Sequence, residues 1–313
     1  MFYFTKTALP FGLLLHNVLT YSLKNSSHKL MIHQSFTIPT SDGSRQMLAD
    51  VRYVPNGSAK PVLIFMHGFK GFKDWGGWHL MMDFLAHQGF VVMKANLSHN
   101  GTTSESPLDF EDLEAFGHNT FSQEQQDVGV WIDRLHSGKW PVPATELDAT
   151  RLGLIGHSRG GAGVILKAAA DPRVKAVAAW APVADLTQRY SPEVVAQWKE
   201  KGVHYIPNSR TGQDMPLYFG LMQDLIDDPG TLSVPNAVRS LSQSLLVVHG
   251  DADPTVPVGH AHSLKEWQPK AQLHVVPGAD HVFSMAHPWN SADLPVLSQE
   301  VIEITSDFFK KNL

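Results

Sequence analysis

The chain has 313 residues, 43% of them apolar and 18% charged, with a formal charge of -5 spread without a block of one sign. That length suits one large α/β domain with an insertion, and the even charge excludes the clustered Lys and Arg of a nucleic-acid surface. There is no cysteine, which excludes disulfides, a thiolate nucleophile and cysteine-ligated zinc.

Residues 1–30 stand apart from the rest. Ala8 to Leu19 is an apolar stretch preceded by a single cation, Lys6, and interrupted by His16 and Asn17. It is too short to span a bilayer, and no clear small-x-small cleavage site follows. Two readings stand: a mis-set start, with translation beginning at Met31, or a disordered tail; or else a weak export signal or anchor. The expectation is a cytoplasmic protein, exported if residues 1–30 act as a signal, with no stable membrane span.

From Met31 the pattern is regular. Strands are expected at Ile32–Ile38 and Met47–Tyr53, with the turn Ser41-Asp42-Gly43 between them. Pro61–Met66 is a continuous apolar run, as in a strand buried on both faces of a parallel sheet. Trp78–His87 reads as a helix closed by Gly89, and Phe90–Ala95 as the next strand. Gln123–Leu135 is an amphipathic helix with Val128, Trp131, Ile132 and Leu135 at helical spacing. Arg151–Gly156 is a strand, Gly160–Ala170 a small-residue helix and Val174–Ala181 another buried strand. Residues 183–240 break the rhythm with five prolines among short helical pieces, and are expected to form a small helical cap. The rhythm resumes with a strand at Ser244–His249, a helix near His260–Trp267, a strand at Gln272–Val276 and a final helix at Leu297–Phe309. Alternating strands and helices imply right-handed βαβ units and a mostly parallel sheet covered on both faces.

Gly156-His157-Ser158-Arg159-Gly160 lies between a buried strand and a small-residue helix. In that context G-x-S-x-G marks a sharp turn that lifts a serine hydroxyl to a helix N-terminus, with glycines where neighbouring backbone comes too close for a Cβ. A serine hydroxyl needs an adjacent base to act as a nucleophile. Seventeen histidines make any one of them weak evidence. His281 stands out because Gly278-Ala279-Asp280-His281 follows a strand, at the sheet edge where open α/β sheets bind ligands. Asp253, in His249-Gly250-Asp251-Ala252-Asp253, is the expected acid. Asp251 and Asp280 are its rivals, and Asp251 sits too close to the strand end to reach the base. The order Ser158, Asp253, His281 matches the order this fold uses. The expected oxyanion donors are the backbone N–H groups of Arg159 and of Phe69, in the loop His67-Gly68-Phe69-Lys70-Gly71 after the third strand.

With these four motifs in order, the chain from Met31 to Leu313 resembles the α/β-hydrolase superfamily. The stretch His67–Trp75 is similar to members related to dienelactone hydrolases, feruloyl esterases and the prolyl-oligopeptidase-like catalytic domain. Ser158 stands where dienelactone hydrolase has cysteine, which argues against that activity. The short stretch between Met31 and His67 leaves no room for the propeller of a prolyl oligopeptidase. The resemblance implies an α/β-hydrolase fold and a serine hydrolase that cleaves carboxylic esters of small molecules through an acyl-enzyme, without metal or organic cofactor. Trp198, Tyr205, Arg210, Tyr218 and Phe219 in the cap are candidate pocket residues, although cap aromatics equally serve as a cap's own core. An aminopeptidase, amidase or thioesterase on the same groups is the alternative, and Asp224, Asp227 and Asp228 are the acids that could read a substrate amine. A non-catalytic binding protein is the third reading, and a homo-oligomer is left open.

Overall fold

The computed structural model describes residues 30–313. The tail-or-signal reading of residues 1–30 falls, Leu30 apart, outside the described residues.

Eight strands form one sheet in the order β1-β2-β4-β3-β5-β6-β9-β10. These are β1 (Ile32–Pro39), β2 (Gln46–Tyr53), β3 (Lys60–Met66), β4 (Val91–Ala95), β5 (Leu147–His157), β6 (Val174–Trp180), β9 (Ser244–Gly250) and β10 (Gln272–Val276). Strand β2 runs antiparallel to both neighbours, and every pairing from β4 to β10 is parallel. The apolar runs find their reason in the two faces. Val62, Ile64, Met66, Leu154, Val177 and Val247 enter one core. The intervening Leu63, Phe65, Ile155, Ala178 and Val248 enter the other. Each fully buried Val, Leu or Phe in such a layer contributes about 1.5–3 kcal/mol.

The helical layers follow the expected order. Helices α1 (Trp78–His87) and α9 (Val296–Asn312) cover the second face, where Trp78, Met81, Ile302 and Phe309 are buried. Helices α3 (Phe121–His136), α4 (Arg159–Ala170) and α8 (Gly259–Trp267) cover the first. Thr120 starts α3 by accepting from the Gln123 N–H, the capping that a hydroxyl residue supplies. Outside the inserted segment, one α-helix is not expected from the sequence: α2 (Leu113–His118), six residues long and capped by Asp112. A helix of that length shows too few turns for a periodic pattern.

The segment between β6 and β9 departs from the helical cap. It holds helices α5 (Pro192–Lys201), α6 (Gly220–Asp227) and α7 (Val234–Ser240), but also a hairpin of β7 (Val203–Asn208) and β8 (Gln213–Tyr218). Pro207 and Pro216 lie inside those strands. A two-stranded hairpin has two free edges, so a residue with no N–H fits where it cannot fit a central strand. The prolines that suggest broken helices are therefore compatible with strands.

Candidate active site

Strand β5 ends at His157; Ser158 follows it with φ 57° and ψ -118°, and α4 begins at the next residue. A serine with positive φ is strained by about 1–3 kcal/mol. Its surroundings hold it there. The Ser158 N–H donates to Trp180 O at 2.8 Å, and Ser158 O accepts from Ala162 and Val183 N–H at 3.3 Å. At Gly160 a Cβ would lie 2.5 Å from both Met66 O and His67 O, and at Gly68 2.9 Å from His157 O. Only glycine permits that approach of the β3 loop to the Ser158 turn.

His281 lies in the loop after β10. Its Nε2 is 2.9 Å from Ser158 Oγ, and its Nδ1 is 2.7 Å from Asp253 Oδ2. A carboxylate only accepts, so Nδ1 carries the proton and Nε2 is free to accept from the serine hydroxyl. Asp253 sits in the loop after β9. Its other oxygen accepts from Thr255 N–H at 2.8 Å and Val256 N–H at 2.9 Å. Burial alone would raise its pKa. The hydrogen bonds from His249, His281 and the Val256 N–H outweigh that and hold it well below the usual carboxylate range. Its rivals are engaged elsewhere. Asp251 accepts from Gly278 N–H at 2.6 Å. Asp280 accepts from Val282 and Ser284 N–H at 3.1 and 2.8 Å, closing its own turn.

Three further histidines brace this arrangement. His157 is buried beside Ser158, and its Nε2 donates to His281 O at 2.8 Å. Burial, then the neighbouring His281, pushes its pKa down to about 3, so it is neutral. His67 Nε2 accepts from Leu97 N–H at 3.2 Å, which puts its proton on Nδ1, 2.9 Å from Gly68 O. Burial first, with the Arg159 charge adding to it, pushes the His67 pKa down to about 4. His249 is fully buried, with Nε2 2.8 Å from Val256 O and 3.3 Å from Asp253 Oδ2. Sequence reasoning picks out none of the three as bracing groups. His67, His157 and His249 all lie inside the quoted motifs, and that placement is the only signal they carry.

The Gly68 carbonyl accepts from His67 Nδ1 and from Gly71 N–H at 3.1 Å. Across a trans peptide the amide points the opposite way, so the Phe69 N–H is turned from both donors. Neither the Phe69 N–H nor the Arg159 N–H has an acceptor among the described residues.

A cavity of about 500 Å³ opens beside Ser158. Phe69, Phe121, Leu186, Leu221, Met222 and Val256 supply most of its apolar wall. The five cap candidates are not among its lining residues. Trp198 is 1% exposed and packs with Tyr190, His204 and Phe219 in the core of the inserted segment. Tyr205 is 58% exposed on the hairpin. Arg210 pairs with Asp109 at 3.0 Å, and Tyr218 Oη donates to Glu114 at 2.6 Å, so both fasten the hairpin to the α2 region. Of the acids proposed for an amine, Asp224 accepts from Ser122 N–H, Asp227 from Gln223 and Asp228 from Thr231 N–H. None of them lines the cavity either. Among the described residues no group of three or more His, Cys, Asp or Glu could hold a metal ion, and no helix is long and apolar enough to cross a membrane.

A family model described as the alpha/beta hydrolase family matches residues 63–290. The chain belongs to the alpha/beta hydrolase family. The fold of this hydrolase is shared by solved structures at low identity. Est1E from Butyrivibrio proteoclasticus aligns with a TM-score of 0.62 at 18% identity, over 88% of this chain and 98% of its own. The esterase domain of a Rhodothermus marinus protein aligns with a TM-score of 0.59 at 20% identity, over 90% and 98%. A puromycin-hydrolyzing peptidase of Mycobacterium tuberculosis aligns with a TM-score of 0.63 at 16% identity, over 92% of this chain but 40% of the peptidase. No curated protein matches the chain.

Proposed function

We propose that this hydrolase cleaves carboxylic esters through an acyl-enzyme, with Ser158 as nucleophile, His281 as general base and Asp253 as the acid that orients it. The observation that carries the reading is the hydrogen-bonded chain Ser158 Oγ, His281, Asp253, at 2.9 and 2.7 Å, on a strained turn. Ser158 Oγ attacks the ester carbonyl carbon as His281 Nε2 takes its proton. The tetrahedral oxyanion is received by the Phe69 and Arg159 N–H groups. His281 returns the proton to the leaving alcohol, and the acyl group stays on Ser158. Water then repeats the sequence with His281 again as base, releasing the acid. The Gly68 carbonyl, held from two sides, supports Phe69 as an oxyanion donor. His157 supports His281 by fixing its backbone.

The mainly apolar cavity favours esters over aminoacyl amides. A substrate ammonium needs a nearby carboxylate; the three acids considered for that task lie outside the cavity, and its one carboxylate, Asp185, is tied into its own turn. The test is covalent labelling by a fluorophosphonate alongside hydrolysis of 4-nitrophenyl esters and aminoacyl-anilides. Labelling at Ser158 and preferential ester turnover, both abolished in a folded Ser158→Ala variant, are expected. Turnover surviving in Ser158→Ala removes the assignment, and an unlabelled Ser158 in the wild-type chain favours a binding protein.

A further inference from the structure

Two guanidinium groups lie over the Phe69 ring, Arg159 at 5.4 Å and Arg189 at 5.2 Å from its centroid. Their charges differ in balance. Arg159 is buried, and its Nε and Nη2 meet the two oxygens of Glu124 at 3.1 and 3.0 Å. Arg189 is exposed and lines the cavity beside Ser158. Among the described residues no carboxylate lies within ion-pair distance of it, and its side chain has no hydrogen-bond acceptor. Its other ring contact is Tyr190, at 5.8 Å.

Lys70 adds a second cation. Its Nζ reaches Pro207 O at 3.3 Å, and it too lacks a carboxylate partner among the described residues. Burial and then the Arg189 charge push its pKa down. Asp185 is the one carboxylate among the lining residues. It is occupied in its own turn, accepting from Thr187 N–H at 2.8 Å, Thr187 Oγ1 at 2.7 Å and Gln188 Nε2 at 3.0 Å. The cavity thus holds the guanidinium of Arg189 with no carboxylate paired to it, Lys70 close enough to feel its charge, and one anion, Asp185, turned into its own loop. A guanidinium fork fits a carboxylate with two parallel hydrogen bonds. Arg189 is exposed, so solvent and salt screen that attraction and the gain it gives is modest.

We propose that Arg189, assisted by Lys70, selects esters that carry a free carboxylate, binding that group at the cavity rim while Ser158 attacks the ester carbonyl. The proposal rests on the ester-hydrolase reading of Ser158. The carboxylate can belong to the acyl side, as in a half-ester of a dicarboxylic acid, or to the alcohol side, as in an ester of a hydroxy acid.

The experiment compares matched pairs on the full chain by proton release: monoethyl adipate against ethyl hexanoate, and 4-butanoyloxybutanoate against butyl butanoate. In at least one pair the charged member is favoured about tenfold in kcat/KM, the gain lies in KM, and added salt erodes it. The favoured pair names the side. Arg189→Ala removes the preference, Arg189→Lys keeps part of it and Arg189→Glu reverses it. The preference is read as the ratio of kcat/KM within each pair, so a change shared by both members cancels. A second readout needs no turnover: adipate slows fluorophosphonate labelling of Ser158 in the wild-type chain but not in Arg189→Ala, and adipamide slows neither. Equal kcat/KM within both pairs, or no protection by adipate, overturns the proposal and leaves the hydrolase reading intact. A preference that survives Arg189→Ala combined with Lys70→Ala also overturns it. An unlabelled Ser158 with no turnover of any ester overturns both.

Discussion

Replacing Asp253 with Asn tests the proposed triad through one proton. The two carboxylate oxygens of Asp253 have different duties. One accepts from the Thr255 and Val256 N–H groups at 2.8 and 2.9 Å, and the other faces His281 Nδ1 at 2.7 Å. An asparagine has one oxygen and one NH2. Its oxygen must stay with the two backbone donors, because turning the NH2 toward them sets donors against donors, at about 1–3 kcal/mol for each unsatisfied group. The NH2 is then left facing His281. His281 Nδ1 becomes the acceptor, its proton moves to Nε2, and Nε2 can no longer take the proton of Ser158. The expected loss is about 10⁴-fold in kcat, or about 5.5 kcal/mol in barrier. The variant should fold, since both backbone contacts persist. Steady-state hydrolysis of 4-nitrophenyl butanoate with circular dichroism checks both halves. Asp280→Asn and Asp251→Asn serve as controls, since each keeps an oxygen for the backbone N–H groups it accepts from, and each should stay within about threefold. A folded Asp253→Asn variant within tenfold of the wild type refutes the reasoning.

Two further predictions use the same structure. Ser158→Gly and Ser158→Ala both remove the hydroxyl and should both be inactive, but glycine alone relaxes at φ 57°. Ser158→Gly should therefore be about 1 kcal/mol more stable than Ser158→Ala by urea unfolding, and equal midpoints would show that the turn is not strained. Asp127 is buried among Ser98 N–H and Gln123 Nε2, and burial raises its pKa to about 6. A raised folded pKa means that its contribution is present below the unfolded value near 3.8 and is lost as pH rises through about 6. That loss is about 3 kcal/mol, so Asp127→Asn should flatten the fall in unfolding midpoint between pH 4.5 and 7.5, and an unchanged fall would show that Asp127 is not its source.

Much of the sheet was legible because its strands are buried on both faces, which makes continuous apolar runs such as Val62–Met66. The groups around Ser158 were legible for a related reason. Parallel strands deliver their C-terminal loops to one edge, so a serine, a carboxylate and an imidazole just beyond β5, β9 and β10 lie close in space whatever their distance in sequence. The cavity wall was not legible. The residues chosen for it were large aromatics, and burial needs large aromatics wherever a small layer must build a core. Trp198 and Phe219 do that within the inserted segment. Much of the wall comes instead from Leu186, Gln188, Arg189 and Tyr190 in the loop after β6 and from Leu221 and Met222 on α6. Which face of a short helix or hairpin turns toward a cleft depends on its docking, and that information is not local.

The histidines show how composition conceals function here. Seventeen of them dilute the signal of any one, yet several near the site are structural wedges. His67 and His157 each spend their single proton on a backbone carbonyl, and burial keeps both neutral. An imidazole used this way offers a rigid ring with one donor and one acceptor, which suits a crowded sheet edge where a backbone group needs a fixed partner. It gives up proton transfer in return, because its proton is committed and its charged form is disfavoured. His281 differs in its partners. Its Nδ1 faces a carboxylate instead of a carbonyl, and its Nε2 faces a hydroxyl at the wall of an open cavity. The distinction between a bracing histidine and one able to shuttle a proton therefore lies in what each ring nitrogen meets, a property of the folded edge that no count of histidines carries.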